Sequence, residues 1–125
     1  MPLSATRQAR LENWLPKIEI ILPEVGEQVA PETYFDGSHS DFWLEIGFGK
    51  GEHLAAQAAA HPEIGMIGSE PFLNGVSGLV DLVVEGNLPN VRVFKDDARL
   101  LMDSLPNASI GRAFILFPDP WPKAR

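Results

Sequence analysis

From residue 41 onward, short apolar runs alternate with helical segments, and this alternation constrains the fold more than any other feature. The apolar runs predict four strands, at residues 42–46, 64–69, 91–95 and 113–117. The segments between them predict helices at residues 52–60, 75–85 and 98–104. Because strand-helix-strand connections are right-handed, the pattern predicts an α/β class, with a parallel sheet covered on both faces. We expect the strand order 3-2-1-4, the first half of a doubly wound sheet.

The residues before this alternating region predict a lead-in. Residues 4–15 have apolar side chains at helical spacing and predict a short helix that ends before Pro16. Residues 24–41 follow Pro23, contain Gly26, Pro31 and Gly37 among several polar residues, and predict an irregular connection. With 125 residues and 45% hydrophobic content, the chain is long enough for one compact domain. We therefore divide it into the lead-in, residues 1–41, and an α/β domain, residues 42–125.

The amino-acid composition and net charge exclude or disfavour several classes of protein. The chain has no cysteine, which excludes a disulfide framework or a thiolate metal site and suits the cytoplasm. The first residues contain no apolar signal region, and the longest apolar runs are too short to span a bilayer. A formal net charge of −7 argues against a nucleic-acid binder, although the last five residues are turning basic.

Some conspicuous residues are assigned no function. His39, His53 and His61 lack metal-ligand spacing, so we expect ordinary surface or loop histidines and no metal site. Trp14 and Trp43 are expected in the core.

Acidic residues stand at the end of each predicted strand. They are Glu45, Glu70, the pair Asp96 and Asp97, and Asp119. Ligands of open α/β sheets bind outside the carboxyl ends of the strands, and carboxylates collected there would repel a phosphate. S-adenosylmethionine fits such a site, because it carries a sulfonium, an ammonium and two ribose hydroxyls. The alternative is a set of solvated loop residues and helix caps, with Asp97 an N-cap candidate.

A glycine loop follows the first predicted strand and precedes a helix. Gly47, Gly49 and Gly51 allow positive φ and close approach of a ligand to the backbone. The dinucleotide fingerprint needs its third glycine at position 52, where this chain has Glu52. A nicotinamide oxidoreductase is therefore disfavoured. A tight strand-to-helix turn without a ligand is the simpler alternative.

The final segment, residues 117–123, places three prolines around Asp119 and Trp121. Proline fixes φ and removes a backbone donor, so these two side chains are expected to have a preset geometry. Such rigidity suits a planar base that is stacked and held at its edge. The alternative is a stiffened surface turn.

In order and spacing, these motifs resemble the tRNA (guanine-N7)-methyltransferase family. The resemblance runs over about residues 42–125 and rests on residues 44–51 (LEIGFGKG), 67–70 (IGSE), 97–98 (DA) and 117–123 (FPDPWPK). It implies a Rossmann-like, S-adenosylmethionine-dependent methyltransferase fold. It also implies a cytoplasmic enzyme with tRNA as partner and substrate, which forms 7-methylguanosine in the tRNA variable loop.

The resemblance also implies roles for individual residues. Glu70 would bind the ribose hydroxyls, Asp97 would lie near the adenine, and Asp119 would be the catalytic residue. Trp121 and Lys123 would contact the tRNA. The implied cofactor-binding residues are Glu45, Gly47, Gly49, Gly51, Glu70, Asp97 and Asp119.

The sequence departs from the family in three ways. Lys50 stands where the family has a hydrophobic residue, Ser69 stands where it has an isoleucine or similar, and the basic run and strands that follow the last motif are absent. We therefore expect an incomplete domain whose fourth strand is an open edge, prone to self-association. The chain would then be a fragment of the enzyme, whose own activity the sequence leaves open, or alternatively a non-catalytic cofactor-binding or interaction module.

Overall fold

A computed structural model describes residues 3–116 of the chain. Within that range, four strands form one parallel sheet in the order β3-β2-β1-β4. Their bounds are β1 Asp41–Ile46, β2 Ile64–Ser69, β3 Val91–Phe94 and β4 Arg112–Ile115. The predicted α/β class and strand order are confirmed. Phe117, which we expected to end the fourth strand, lies outside the described residues.

Helices connect the strands and cover both faces of the sheet. They are α1 Ala5–Ile18, α2 Glu52–Ala60, α3 Leu73–Gly86 and α4 Ala98–Asp103, with a 3-10 helix at Pro31–Tyr34 inside the predicted irregular connection. The bounds of α2 and β2 are those predicted. In residues 3–116, no helix is long and apolar enough to cross a membrane.

Helix α1 corrects the prediction that Pro16 ends it. Its N-cap is Ser4, whose hydroxyl accepts a hydrogen bond from the Arg7 N–H at 3.2 Å. The helix passes through Pro16 and ends at Ile18. Proline removes one hydrogen bond of the last turn. Burial of Leu15 and Ile18 in the core offsets that loss.

Alternate side chains of β1 enter two cores, one on each face of the sheet. Trp43 packs with α1, α2 and α3, whereas Phe42 and Leu44 pack on the other face with Leu101 of α4. Trp43 is 8% exposed, which confirms its predicted place in the core. The same prediction is wrong for Trp14, which is 37% exposed on the outer surface of α1 with the Lys17 ammonium 4.3 Å from its ring.

The segment after α1 covers the outer edge of β3. The Ile20 N–H donates to the Val93 carbonyl at 2.7 Å, and Glu19 forms a β-bridge with Val93. Lys95 forms an ion pair with Glu19 at 3.5 Å. The segment therefore covers part of this edge, where an uncovered strand could recruit another strand.

Candidate functional site

A cleft of about 460 Å³ lies at the carboxyl ends of β1 and β4, between the glycine loop and the start of α3. This is the place where open α/β sheets bind ligands, and the volume is of the size that holds a small molecule. The residues that line it include Gly47, Gly49, Glu70, Phe72, Ile115 and Leu116.

The three loop glycines all have positive φ, with values of +70° at Gly47, +63° at Gly49 and +91° at Gly51. Their surroundings separate them into two kinds. A Cβ on Gly51 would lie 2.7 Å from the side chain of Leu79 in α3, whereas a Cβ on Gly49 would meet nothing within 4 Å. Gly51 is therefore needed for packing of the loop on α3, and Gly49 leaves its backbone open to the cleft. The cofactor contact expected of Gly51 stays a prediction.

The first turns of α3 lie directly against this loop. A Cβ on Gly75 would overlap the Gly49 carbonyl oxygen, and one on Gly78 would lie 3.0 Å from the Lys50 carbonyl oxygen. Both positions therefore require a very small residue. We did not predict a role for either glycine, although two glycines three residues apart at the start of a helix are a sign of close backbone contact.

Glu70 connects the end of β2 to the glycine loop. Its Oε1 accepts a hydrogen bond from the Gly49 N–H at 2.9 Å, and its Oε2 accepts one from the Phe72 N–H at 3.2 Å. The residue is only 6% exposed and lines the cleft. Each carboxylate oxygen has a second lone pair, so Glu70 can still accept hydrogen bonds from a ligand.

Glu45 is fully buried at the end of β1, and it does not line the cleft. Its Oε1 lies 2.6 Å from Nδ1 of His53, and the carboxylate accepts this hydrogen bond when it is ionised. Its Oε2 is buried and has no hydrogen-bond partner among residues 3–116. Burial raises the pKa of Glu45, and the hydrogen bond and charge of His53 oppose that rise.

His53 is a residue whose role our sequence analysis missed. Its ring is about one-third exposed, as expected of a surface histidine, but it is bonded to a buried acid. The available signal was an acid before a glycine loop and a histidine in the first turn of the helix after it. No spacing rule for metal ligands contains that pattern.

Asp97 lies away from the cleft lining and caps α4. Its Oδ1 accepts from the Arg99 N–H at 2.9 Å, and its Oδ2 pairs with the Arg99 guanidinium at 2.6 Å. These hydrogen bonds lower the pKa of Asp97 to about 2. The N-cap alternative is confirmed, and contact with the adenine stays a prediction.

The structure therefore brings part of the predicted site together. One cleft is lined by Glu70, Gly47 and Gly49. Glu45 is buried at the end of β1, just before the glycine loop, and Asp97 caps α4. Asp119, Trp121 and Lys123 lie outside the described residues. Within the described range, no three His, Asp or Glu side chains are grouped to hold a metal ion.

Comparison with known proteins adds to this geometry. A family described as "Putative methyltransferase" matches residues 39–125. A tRNA (guanine-N(7)-)-methyltransferase of Paramagnetospirillum magneticum is 50% identical over 116 residues, which is 92% of this chain and 49% of that protein. The enzyme of the same name from Rhodospirillum rubrum is 47% identical over 126 residues, or 99% of this chain and 49% of that protein. The chain thus spans about half the length of the curated relatives it matches.

Solved structures share the fold. The 16S rRNA (adenine(1408)-N(1))-methyltransferase of Catenulisporales acidiphilia matches 67% of this chain and 40% of its own, with a TM-score of 0.52 and 21% identity. The 16S rRNA methyltransferase KamB matches 66% of this chain and 39% of its own, with a TM-score of 0.54 and 22% identity. These likenesses confirm the predicted methyltransferase fold. The family model matches residues 39–125, and tRNA (guanine-N(7)-)-methyltransferases are about half identical to this chain, as the resemblance of its motifs predicts. The chain therefore belongs to this methyltransferase family.

Proposed function

We propose that this chain is the cofactor-binding part of an S-adenosylmethionine-dependent tRNA (guanine-N7)-methyltransferase. The observation that carries the proposal is the cleft in which the Glu70 carboxylate meets the open backbone of Gly49. It is supported by relatives of that name that are 50% and 47% identical.

The residues of the cleft fit S-adenosylmethionine. The free lone pairs of Glu70 suit ribose hydroxyls, and Gly49 leaves room for close approach. Phe72, Ile115 and Leu116 give the cleft an apolar wall that suits a flat ring. The buried acid Glu45 and the lining acid Glu70 make the surroundings favourable to positive charge.

The same loop fits a pyrophosphate badly. An anion cradle needs free backbone N–H groups, but here the Gly47 N–H donates to the Ser69 carbonyl at 2.8 Å. The N–H groups of Gly49 and Gly51 donate to Glu70 and to the Phe48 carbonyl. A nicotinamide dinucleotide would therefore find the three glycine N–H groups of the loop already bonded, and it would meet the acid Glu52 in place of the third fingerprint glycine.

The chemistry requires positioning more than proton transfer. S-adenosylmethionine supplies a methyl group on a positively charged sulfur. Guanine N7 has a lone pair and no proton, so the chain has no proton to remove before methyl transfer, and its task is to align the reactants. We propose that Asp119 stabilises the positive charge that develops on the purine, while Trp121 stacks on the base and Lys123 contacts the tRNA.

A second candidate is a non-catalytic module that binds the cofactor. The net charge of −7 favours it, because tRNA phosphates are held mainly by basic side chains. Cofactor binding without methyl transfer distinguishes it from the enzyme. The control is a chimera in which this chain is joined to the C-terminal half of the Paramagnetospirillum relative. Methylation of unmodified tRNA by the chimera supports the first proposal. If the chain and the chimera both bind the cofactor and neither methylates tRNA, the second proposal is supported.

We also propose self-association through β4. In the described range this strand pairs with β1 alone. Its last residue, Ile115, is 56% exposed, and the next residue, Leu116, is 39% exposed. An unpaired edge with apolar side chains is a template for another strand. The expected partner is a second copy of the chain.

A further inference from the structure

The glycine loop is tied down at two places, and the two ties differ. Glu70 holds the loop from within, through the Gly49 N–H. His53 connects the two elements that flank the loop, because its hydrogen bond to Glu45 joins the first turn of α2 to the end of β1. The contact made by Glu70 lines the cleft. The contact between His53 and Glu45 lies next to the cleft, and the function proposed above gives His53 no role.

The imidazole of His53 is held in place by packing. Its ring lies edge-on to the ring of Phe114 in β4, with centroids 5.2 Å apart and an interplanar angle of 68°. The bond to Glu45 is short, 2.6 Å, as expected for a charge-assisted hydrogen bond. The contact therefore joins three elements, β1, α2 and β4, at the carboxyl end of the sheet.

The other charged groups around this pair are engaged elsewhere or exposed. Glu70 bonds to the Gly49 and Phe72 N–H groups, and Arg112 of β4 lies over the Trp43 ring at 4.6 Å. Lys50 and Glu52 are exposed. Within residues 3–116, His53 is thus the side chain that bonds to Glu45.

The second carboxylate oxygen of Glu45 lacks a hydrogen-bond donor within residues 3–116. Oε2 is buried and has no partner in the described part of the chain. A buried carboxylate oxygen without a donor is costly. Glu45 does not line the cleft itself, but it directly precedes Ile46 and Gly47, which do, so a ligand in the cleft can supply the donor.

We propose that His53 is a positioning residue of the cofactor cleft: it orients the Glu45 carboxylate so that its free oxygen meets a cationic or N–H group of the bound methyl donor. This rests on the proposed function. His53 does not touch the ligand in this scheme and acts through Glu45. Without the imidazole, the buried acid loses a hydrogen-bond donor and holds a proton more readily, which weakens its attraction for a cation.

Three variants test the proposal. His53→Leu removes the donor, and His53→Asn places an amide nitrogen close to where Nδ1 stands. The matched control is His61→Asn, since His61 is similarly exposed at the other end of α2 and lies 3.7 Å from the exposed acid Glu63. Melting temperatures show that each variant folds.

Calorimetric titration with S-adenosylmethionine is done between about pH 6 and about pH 8.5, the range in which histidine ordinarily changes charge. For His53→Leu we expect binding weakened about tenfold near pH 6, with the loss shrinking as pH rises and Glu45 ionises. His53→Asn and His61→Asn should stay within about threefold of the parent chain. A folded His53→Leu protein with parental affinity, or a loss that is equal at each pH and not rescued by asparagine, overturns the proposal.

A measurement without ligand separates this proposal from the proposed function. The carbon-13 shift of the Glu45 carboxyl is followed against pH in the parent chain and in His53→Leu. Removal of His53 should move the midpoint upward, and an unchanged midpoint overturns the proposal even if the cofactor binds. If the parent chain does not bind S-adenosylmethionine, the proposed function fails and the ligand half of this inference fails with it. The titration still decides whether His53 controls Glu45.

Discussion

The Glu70 carboxylate and the Gly49 backbone N–H are joined by a hydrogen bond of 2.9 Å, and this contact fixes the glycine loop to the end of β2. Because Gly49 has φ of +63° and faces open space, the loop depends on such external ties to hold its shape. The same carboxylate lines the cleft, so loop geometry and ligand recognition depend on one side chain.

Replacement of Glu70 should therefore affect both properties. Glu70→Ala leaves the N–H groups of Gly49 and Phe72 without an acceptor, which is expected to cost about 1–3 kcal/mol of unfolding free energy. Binding of S-adenosylmethionine should weaken at least about tenfold. Glu63→Ala, at the exposed start of β2, serves as the control and should leave both unchanged. Denaturant unfolding and calorimetry measure the two effects, and an unaffected affinity would contradict the role given to Glu70.

Gly75 tests the contact between α3 and the glycine loop. In Gly75→Ala the new methyl group overlaps the Gly49 carbonyl oxygen, so either the loop or the helix must move. We expect a loss of about 1–3 kcal/mol in stability and a clear loss of cofactor binding. Gly37→Ala is the control, because a Cβ there comes no closer than 4.0 Å to His39. Equal melting temperatures for the two variants would show that the close approach is not required.

The raised pKa of Glu45 predicts a pH dependence of stability. Burial is the main cause, so the folded chain keeps the carboxyl proton at a pH where the unfolded chain, with an ordinary pKa of about 4.3, has lost it. The folded state is therefore penalised progressively as pH rises from the unfolded pKa through the folded one. Glu45→Gln removes that penalty. Its melting temperature, relative to the parent chain, should rise as pH increases above the unfolded pKa of about 4.3, and a difference that is constant with pH would be inconsistent with a buried charge.

Asp97 gives a pH dependence of opposite sign. Its pKa is lowered to about 2 by hydrogen bonds from Arg99, so its contribution is present above the unfolded pKa of about 3.9 and is lost as pH falls toward 2. Asn at this position keeps an N-cap acceptor, whereas Ala does not. We expect Asp97→Ala to lower the melting temperature at neutral pH, and Asp97→Asn to lower it less, because Asn keeps the cap but loses the ion pair with Arg99. Equal losses in both would mean that the ion pair with Arg99, and not the cap, stabilises α4.

Among residues 3–116, β4 is paired on one side alone, and this predicts association that depends on concentration. Sedimentation velocity should show species larger than the monomer as concentration rises, and Ile115→Lys should suppress them by placing a charge at the edge. A monomer at high concentration, for the parent chain and the variant alike, would contradict self-association through this strand.

The order of strands and helices was predictable because apolar periodicity depends on local sequence. Thus β2 and α2 have their predicted bounds, and the glycines of the loop have the positive φ that their position after a strand suggested. Pro16 misled the prediction because tertiary burial of Ile18 holds a turn that proline alone would end.

The candidate site was only partly predictable. Residue types at strand ends indicated Glu70, but the pattern treated four acids as equal, whereas the structure buries Glu45 and uses Asp97 as a cap. The partnership of Glu45 with His53 depends on how the loop folds back, and the need for Gly75 depends on where α3 lies. Such relations arise between elements, so no periodicity within one element contains them.

The most direct test is calorimetric titration of the chain with S-adenosylmethionine, in parallel with a nicotinamide dinucleotide. We predict one site for S-adenosylmethionine that is weakened by Glu70→Ala, and no binding of the dinucleotide, because the N–H groups of Gly47, Gly49 and Gly51 are already bonded within the protein. Tight binding of the dinucleotide, or the same S-adenosylmethionine affinity with and without Glu70, would contradict the assignment of this cleft to a methyl donor.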